Sequence, residues 1–450
     1  MSQMSNKPRI YVTIPTFYPY IGGAETQTLA QCQLLRERGY DVRIFTFHLE
    51  HHWAKQEIVG GVPVTRVGKI LLGKRKHWPR PLQQFAYLLA MLLMTWTFWQ
   101  KRNEYDILQI CQFNLLVLPL SFVCRLAHKP MTIVLISAGA GKPTKTNEPA
   151  RLLAGPLDPA LPWLQVDSKT WIDGDLYGVE RAGSFIVQYL RATLRRMGAV
   201  IIVLSTRMER YLSAHRFLLP GTRLIPNGVD IERFHLAPAD MPVGERPHTV
   251  VCVSKMRWEK GIDTLLQAWR LVHEQLPEAR LILVGSGPIE AQLRQLAQAL
   301  GISEAVEFAG LRSDVPEQLH RGYIATLPSR WEGMPNALLE AMASGAACVA
   351  TRVSGSEDLI QSGINGLLVE PDDYQAMAEA LLTLLRDPVL AQRYGQAARA
   401  TVEQHYTLNQ VIEMYTDIYY TITQRNQISI FSDEISNTYK QEQNTLKMPG

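Results

Sequence analysis

Tyr323-Ile-Ala-Thr-Leu327, then Pro-Ser-Arg-Trp-Glu-Gly-Met-Pro over 328–335, then Asn336-Ala-Leu-Leu-Glu-Ala-Met-Ala-Ser-Gly345 read as a strand, a glycine-containing loop and a helix. A helix that opens just after such a loop presents unpaired backbone N–H groups and the positive end of its dipole, which suits a phosphate. Glu332 precedes that terminus and Glu340 lies about one turn inside it, so each carboxylate can accept hydrogen bonds from sugar hydroxyls. One loop can thus hold an anionic diphosphate between two hydroxyl-rich rings, the description of a nucleotide sugar. A surface loop followed by an amphipathic helix, with Leu338, Leu339 and Met342 facing a core, is the competing reading. The position decides against it, because ligands in open parallel sheets bind beyond the carboxyl ends of strands.

Working outward, the same alternation fills the chain. Strands are predicted over 9–14, 42–47, 62–67, 107–111, 132–136, 200–204 and 223–225 in the first half, with helices over 26–37, 82–102 and 185–196. The second half repeats the order, with strands over 248–253, 280–284, 305–308, 323–327, 347–350 and 366–369. Val/Ile/Leu-rich strands separated by helices indicate parallel sheets covered on both faces. The expected fold is α/β, two doubly wound Rossmann-like domains facing each other across a cleft. Residues 1–230 form the first domain, 231–247 a Pro-rich linker and 248–405 the nucleotide-sugar domain. A helix over 406–424 packs back on the first domain, and 425–450 is a polar tail.

The 450 residues carry a net charge of +4 that conceals an asymmetry. Residues 1–225 hold 28 Lys/Arg against 14 Asp/Glu, and residues 226–450 hold 18 against 28. A basic half joined to an acidic half directs one domain toward an anionic partner. No nucleic-acid-binding motif accompanies the charge, so lipid headgroups or a lipid-pyrophosphate acceptor fit better. Five scattered cysteines without metal-type spacing indicate reduced thiols, and a first strand at 9–14 in place of a secretory signal indicates a cytoplasmic protein. Leu82–Gln100 carries no charged residue and includes Trp96 and Trp99, with Lys74, Arg75, Lys76 and Arg80 before it and Lys101 and Arg102 after. Three readings stay open for it: a crossover helix, peripheral contact with an anionic membrane face, and a span. Residues 139–180 are Gly/Pro-rich and read as a long functional loop.

Four further stretches invite a chemical reading. Gly22 and Gly23 follow the first strand and open the first helix, where a backbone can approach a ligand closely. Lys255 and Lys260 flank a loop after the first strand of the second half and can meet a diphosphate. Gly285-Ser-Gly287 lacks the third glycine and the ribose-binding acid of a dinucleotide site. Asp173-Gly-Asp175 resembles a metal-binding Asp-x-Asp but lies in the irregular segment, so both are read as surface acids, and no metal site is expected. The eleven histidines form no metal-type cluster.

Taken together these residues resemble the retaining glycosyltransferases of family 4, the group 1 glycosyltransferases with a GT-B fold. The resemblance runs from the first strand to about Tyr420 and rests on Ile225-Pro-Asn-Gly-Val-Asp230, Glu259-Lys-Gly261, Leu283–Pro288, Glu332 to Glu340, and Gly363–Val369. It implies that Glu332 contacts donor-sugar hydroxyls and Glu340 the ribose. The main chain of Gly333, Met334, Pro335, Asn336, Ala337 and Leu338 would hold the donor sugar and β-phosphate, with Gly22 and Gly23 closing over the diphosphate. It also implies that no metal or other cofactor is needed. Two departures stand out: Lys255 replaces the usual Arg, losing the fork geometry, and Ser137 stands where family members commonly carry a His.

The expected function is transfer of a hexose from a nucleotide diphosphate sugar to a hydroxyl of a lipid-linked or oligosaccharide acceptor in envelope or exopolysaccharide synthesis. Lys255, Lys260 and Glu332 are the expected catalytic residues. Two alternatives remain, a nucleotide-sugar epimerase on the same fold and a non-catalytic sugar-nucleotide-binding subunit.

Overall fold

The computed structural model describes residues 7–50, 52–68, 79–137, 175, 179, 183–237 and 248–445. Two sheets form. The first has eight strands in the order β3-β4-β2-β1-β5-β6-β7-β8: Gln56–Val59 (β3), Val62–Val67 (β4), Val42–Phe47 (β2), Ile10–Thr13 (β1), Ile107–Cys111 (β5), Met131–Leu135 (β6), Val200–Val203 (β7) and Arg223–Leu224 (β8). Every pairing is parallel except that of β3 with β4. The second sheet is parallel throughout, in the order β11-β10-β9-β12-β13-β14: Val306–Gly310, Arg280–Val284, Thr249–Val253, Ile324–Leu327, Ala347–Thr351 and Leu367–Val369. The central strands are buried at every position, as sheets covered on both faces require.

The antiparallel edge strand β3 is absent from the sequence-based strands. Its turn is nonetheless written in the chain. Gly60 and Gly61 adopt φ of +54° and +80° between Val59 and Val62, the two-residue connection that only left-handed positions supply.

Helices cover both faces of the first sheet. Gly23–Glu37 (α1) packs with the long last helix Leu408–Thr445 (α13). Arg80–Gln100 (α2), Val117–Leu126 (α3) and Ser184–Arg196 (α4) pack side by side. The connection β1–α1–β2 runs one way along the sheet, whereas β4–α2–β5, β5–α3–β6 and β6–α4–β7 run the other. Right-handed crossovers then place α2, α3 and α4 on the face opposite α1. No helix among the described residues is long and apolar enough to cross a membrane, which removes the spanning reading of 82–100. That stretch is a crossover helix instead, with Ala86, Ala90, Met94 and Phe98 buried and Leu82, Phe85, Leu92 and Trp96 exposed.

The halves meet in a closed cleft. Helix Thr206–Ala214 (α5) of the first half starts against the short helix Ser356–Leu359 (α10) of the second. Arg207 donates to both Glu357 oxygens at 2.9 and 2.6 Å, Thr206 Oγ1 donates to Asp358 Oδ1 at 2.5 Å, and the Ser205 and Ser354 hydroxyls lie 2.7 Å apart. The chain returns at Thr407, where Val229 N–H donates to Tyr406 O and Leu408 N–H to Val229 O, both at 2.9 Å. Tyr415 and Tyr419 of α13 are buried against the first half, and Tyr419 Oη donates to Gln109 Oε1 at 2.5 Å. With no Gly or Pro between 408 and 445 to stop it, α13 continues through the stretch read as a polar tail. Residues 238–247 of the expected 231–247 linker, Lys74–Lys76 and most of 139–180 lie outside the described residues.

Candidate active site

The loop 328–335 leaves the carboxyl end of β12 and feeds the helix Asn336–Ala343 (α9). Arg330 fixes it. Its guanidinium donates to Asp263 Oδ1 and Oδ2 at 2.9 and 2.7 Å, and Nε lies 2.8 Å from Asp372 Oδ1. It also stacks 4.3 Å from the Trp258 ring centre. Arg330 and Asp263 side chains are only 4% and 2% exposed, so this is a desolvated, bidentate pair with a second carboxylate beside it. Burial pushes the Asp372 carboxyl up, and Arg330 opposes that shift. The backbone N–H of Arg330 donates to Glu259 O at 2.9 Å, tying the 329–335 loop to the 255–261 loop.

That tie brings Lys260 to Glu332. Lys260 Nζ donates to Glu332 Oε1 at 2.6 Å, and Ser329 Oγ donates to the same oxygen at 2.7 Å. Both side chains are largely buried. Gly261, at φ +61°, allows the approach: a Cβ there would lie 2.0 Å from Pro328 O.

Asn336, the first residue of α9, crosses the cleft. Its Nδ2 donates to Gly23 O at 2.9 Å, and its Oδ1 accepts from Asn227 Nδ2 at 2.7 Å. Asn227 Nδ2 also donates to Met334 O at 3.1 Å. Asn336 and Ala337 are the first-turn residues of α9 whose N–H groups have no helical partner among the described residues. Leu338 differs from its expected role, since its side chain is core and its N–H donates to Pro335 O at 3.2 Å. Lys255 reaches the other wall, where a Cβ on Gly22 would lie 2.9 Å from its Nζ and 2.4 Å from Glu25 Oε2.

A cavity of about 260 Å³ lies where these parts meet. Its walls include Gly23, Asp175, Lys260, Glu332, Gly333 and Met334. Of the expected site residues, Gly22, Lys255, Pro335, Asn336, Ala337, Leu338 and Glu340 sit outside this lining. Glu340 is half-buried on the Asn336 side of α9, and among the described residues its carboxylate takes no hydrogen bond. Burial pushes its pKa up to about 7, with Arg233 opposing.

The Glu340 shift has a testable sign. A carboxyl raised in the folded state favours folding fully below its ordinary value near 4, and that contribution is lost as pH rises through about 7. Glu340→Gln does not titrate. Its thermal stability relative to the parent is therefore expected to rise between pH 5 and pH 8, by roughly 2 kcal/mol after allowing for partial exposure. A difference that stays flat across that range would remove the assignment.

Asp175 corrects the sequence reading of a surface acid. It is buried at the carboxyl ends of β5 and β6, where its Oδ2 accepts from Ile136 N at 2.7 Å and from Phe113 N at 3.4 Å. Its own N–H donates to Ser137 O at 2.9 Å. Burial raises its pKa to about 7, and those backbone N–H groups pull it down. It draws Ser137 into the cavity wall. Asp173 lies outside the described residues, and among the described residues no three His, Cys, Asp or Glu side chains gather as a metal-ligating group.

Gly333 lies against the opposite half with no room for a side chain. A Cβ on it would lie 2.0 Å from Ile136 O of the opposite half and 2.8 Å from Met208 Cε. Gly333→Ala is expected to wedge the halves apart, lowering kcat/KM on the order of 100-fold through lost alignment while both domains stay folded by circular dichroism. Kinetics equal to the parent would show that this closure is not the working state.

Comparison with known proteins bears on the family and the fold. A glycosyl transferase 4-like domain profile matches residues 22–228, and a profile for glycosyl transferases group 1 matches 247–387. The chain is 31% identical over 271 residues to a GDP-mannose-dependent alpha-(1-6)-phosphatidylinositol monomannoside mannosyltransferase of Mycobacterium tuberculosis, covering 55% of this chain and 69% of that protein. It is 32% identical over 180 residues to N-acetyl-alpha-D-glucosaminyl L-malate synthase of Bacillus anthracis. That match covers 40% of this chain and 47%, about half, of the relative's length. Among solved structures, sucrose-phosphate synthase from Thermosynechococcus elongatus superposes with a TM-score of 0.69 at 20% identity, covering 92% of this chain and 99% of that one. Anabaena HepE in complex with UDP and glucose gives 0.65 at 19% identity, covering 92% and 100%. Both likenesses show the two-domain GT-B fold.

Proposed function

The chain belongs to the group 1 glycosyl transferases, and we propose on that footing that it moves a hexose from a nucleoside diphosphate sugar to an acceptor hydroxyl with retention at the anomeric carbon. The observation that carries this reading is the Lys260–Glu332 pair, 2.6 Å apart, in a cavity closed by Gly23 of the opposite domain. Glu332 keeps one carboxylate oxygen for sugar hydroxyls while Lys260 holds the other. Asn336, Ala337, Lys260 and Lys255 supply the positive potential for the diphosphate, so that no metal is required of the reaction. Glu340, further along the Asn336 side of α9, serves the ribose.

The bond from the anomeric carbon to the β-phosphate oxygen breaks, and the acceptor oxygen bonds to the same face of that carbon. The acceptor's proton passes to the departing phosphate oxygen, so the protein needs no nucleophile. Closure excludes water and aligns the partners. The acceptor is a lipid-linked or oligosaccharide hydroxyl of the kind used in envelope polysaccharide assembly, a reading supported by the basic first domain and by the phosphatidylinositol mannoside named for one relative.

A panel of nucleotide sugars tested for thermal stabilisation, followed by transfer assays with the best donor, checks this. The expected product keeps the donor's anomeric configuration by NMR. An inverted product, or turnover of the donor without any acceptor, would replace the proposal with another chemistry.

A further inference from the structure

The face of the first domain opposite α1 and α13 has an unusual surface. Helices α2, α3 and α4 lie side by side there, and none contains an aspartate or glutamate anywhere along its length. They carry Arg125, Arg191, Arg195 and Arg196 instead. Large apolar side chains stand out from the same three helices: Phe85 is 63% exposed, Trp96 57%, Phe122 54% and Phe185 79%. Scattered exposed apolar residues are ordinary, but a run of them across three adjacent helices marks a contact surface.

At one edge of this face, α4 and the 216–220 turn form a groove of about 830 Å³. Phe185, Tyr189 and Leu218 line it together with Arg191, Arg195 and Arg216, and among the described residues no carboxylate does. Arg216 occupies φ +56°, just past the end of α5, where Phe217 N–H donates to Leu212 O at 2.8 Å. That position ordinarily belongs to glycine, because a side chain is strained in the left-handed region. A strained arginine kept beside two others points to a use for its charge.

We infer that the α2–α3–α4 face is a docking surface for an anionic lipid bilayer, with the α4 arginine groove receiving lipid phosphates. Arginine matches phosphate oxygens with a planar fork, and the exposed aromatic and aliphatic side chains enter the headgroup boundary. Charge complementarity selects this occupant: three arginine-bearing helices with exposed apolar side chains and no acid of their own attract an anionic leaflet and repel a second copy of themselves. The surface acts without donor or acceptor, so its test is independent of the transferase reading.

Flotation of the full chain is measured with vesicles of pure phosphatidylcholine and of an equimolar phosphatidylcholine–phosphatidylglycerol mixture, at low and high salt. Binding to the anionic vesicles is expected, with salt weakening it. Neutralising one groove arginine is expected to lower partition about fivefold, and Arg191→Gln with Arg195→Gln and Arg216→Gly together on the order of 100-fold. Arg216→Gly alone is expected to keep or raise the thermal midpoint while weakening vesicle binding, which a purely structural arginine would not do. Trp96→Ser is expected to reduce binding without loss of fold. Equal binding to both vesicle types, unchanged partition in the triple variant, or recovery of the parent only in the soluble fraction would each overturn the inference. So would concentration-dependent dimers, seen by sedimentation, that Trp96→Ser dissolves without any effect on vesicles.

Discussion

Lys260→Ala is expected to lower kcat by roughly 100- to 1,000-fold while the donor still binds. The lysine ammonium sits in a largely buried site, where a charge acts on a departing diphosphate more strongly than it would in water. Its contact with Glu332 at 2.6 Å raises the question of whether it acts directly or only by holding that carboxylate. A double-mutant cycle separates the two. If Lys260 only positions Glu332, adding Lys260→Ala to Glu332→Gln costs nothing further. A direct role on the leaving group leaves most of the loss in place. Unchanged turnover in Lys260→Ala would end its catalytic assignment.

Arg330→Met is expected to produce the largest loss of stability of any single change in the site. The substitution keeps similar volume but leaves Asp263, 2% exposed, without its bidentate partner, and Asp372 beside it. Breaking a buried pair from one side costs about 3–5 kcal/mol, because the remaining charge stays desolvated. For a domain of this size that lowers the thermal midpoint by roughly 10 °C. Activity falls with it, since the Arg330 guanidinium also donates to Trp258 O at 2.5 Å and so joins the loop that carries Glu332 to the loop that carries Lys260. Arg330→Lys is expected to recover only part of the stability, because a point charge cannot replace the fork that meets both Asp263 oxygens. A midpoint within about 1 °C of the parent for Arg330→Met would show that the pair contributes nothing beyond its packing.

The contrast between these two residues shows what a sequence reveals and what it hides. Lys260 and Glu332 were legible because each follows a strand rich in apolar residues, and the carboxyl ends of parallel strands face the ligand. The strand and helix pattern gave both sheets for the same reason, since period and composition are local properties. Arg330 reads as an ordinary loop residue. Its partners Asp263 and Asp372 lie far off in the chain and carry no shared period, so only the folded structure brings them together. Asp175 was misread because its stretch has no periodicity, and its burial depends on the N–H groups of Ile136 and Phe113 at two strand ends. The edge strand 56–59 escaped because Gln56-Glu57-Ile58-Val59 is short and no position in it is buried, although Gly60-Gly61 marks the turn. Asn336 was named for its place at a helix start. That its side chain crosses to Gly23 follows from how the two sheets dock, which no local pattern encodes.

The central claim is that one activated sugar binds where Lys260 and Glu332 meet the Gly23 wall. A crystal structure with the best nucleotide sugar from the panel tests it directly. The expected result places the sugar hydroxyls within hydrogen-bond reach of Glu332 and the diphosphate at Lys260 and the Asn336 helix start, beneath Gly22 and Gly23. A donor held elsewhere, or one whose diphosphate faces away from Lys260, would contradict it.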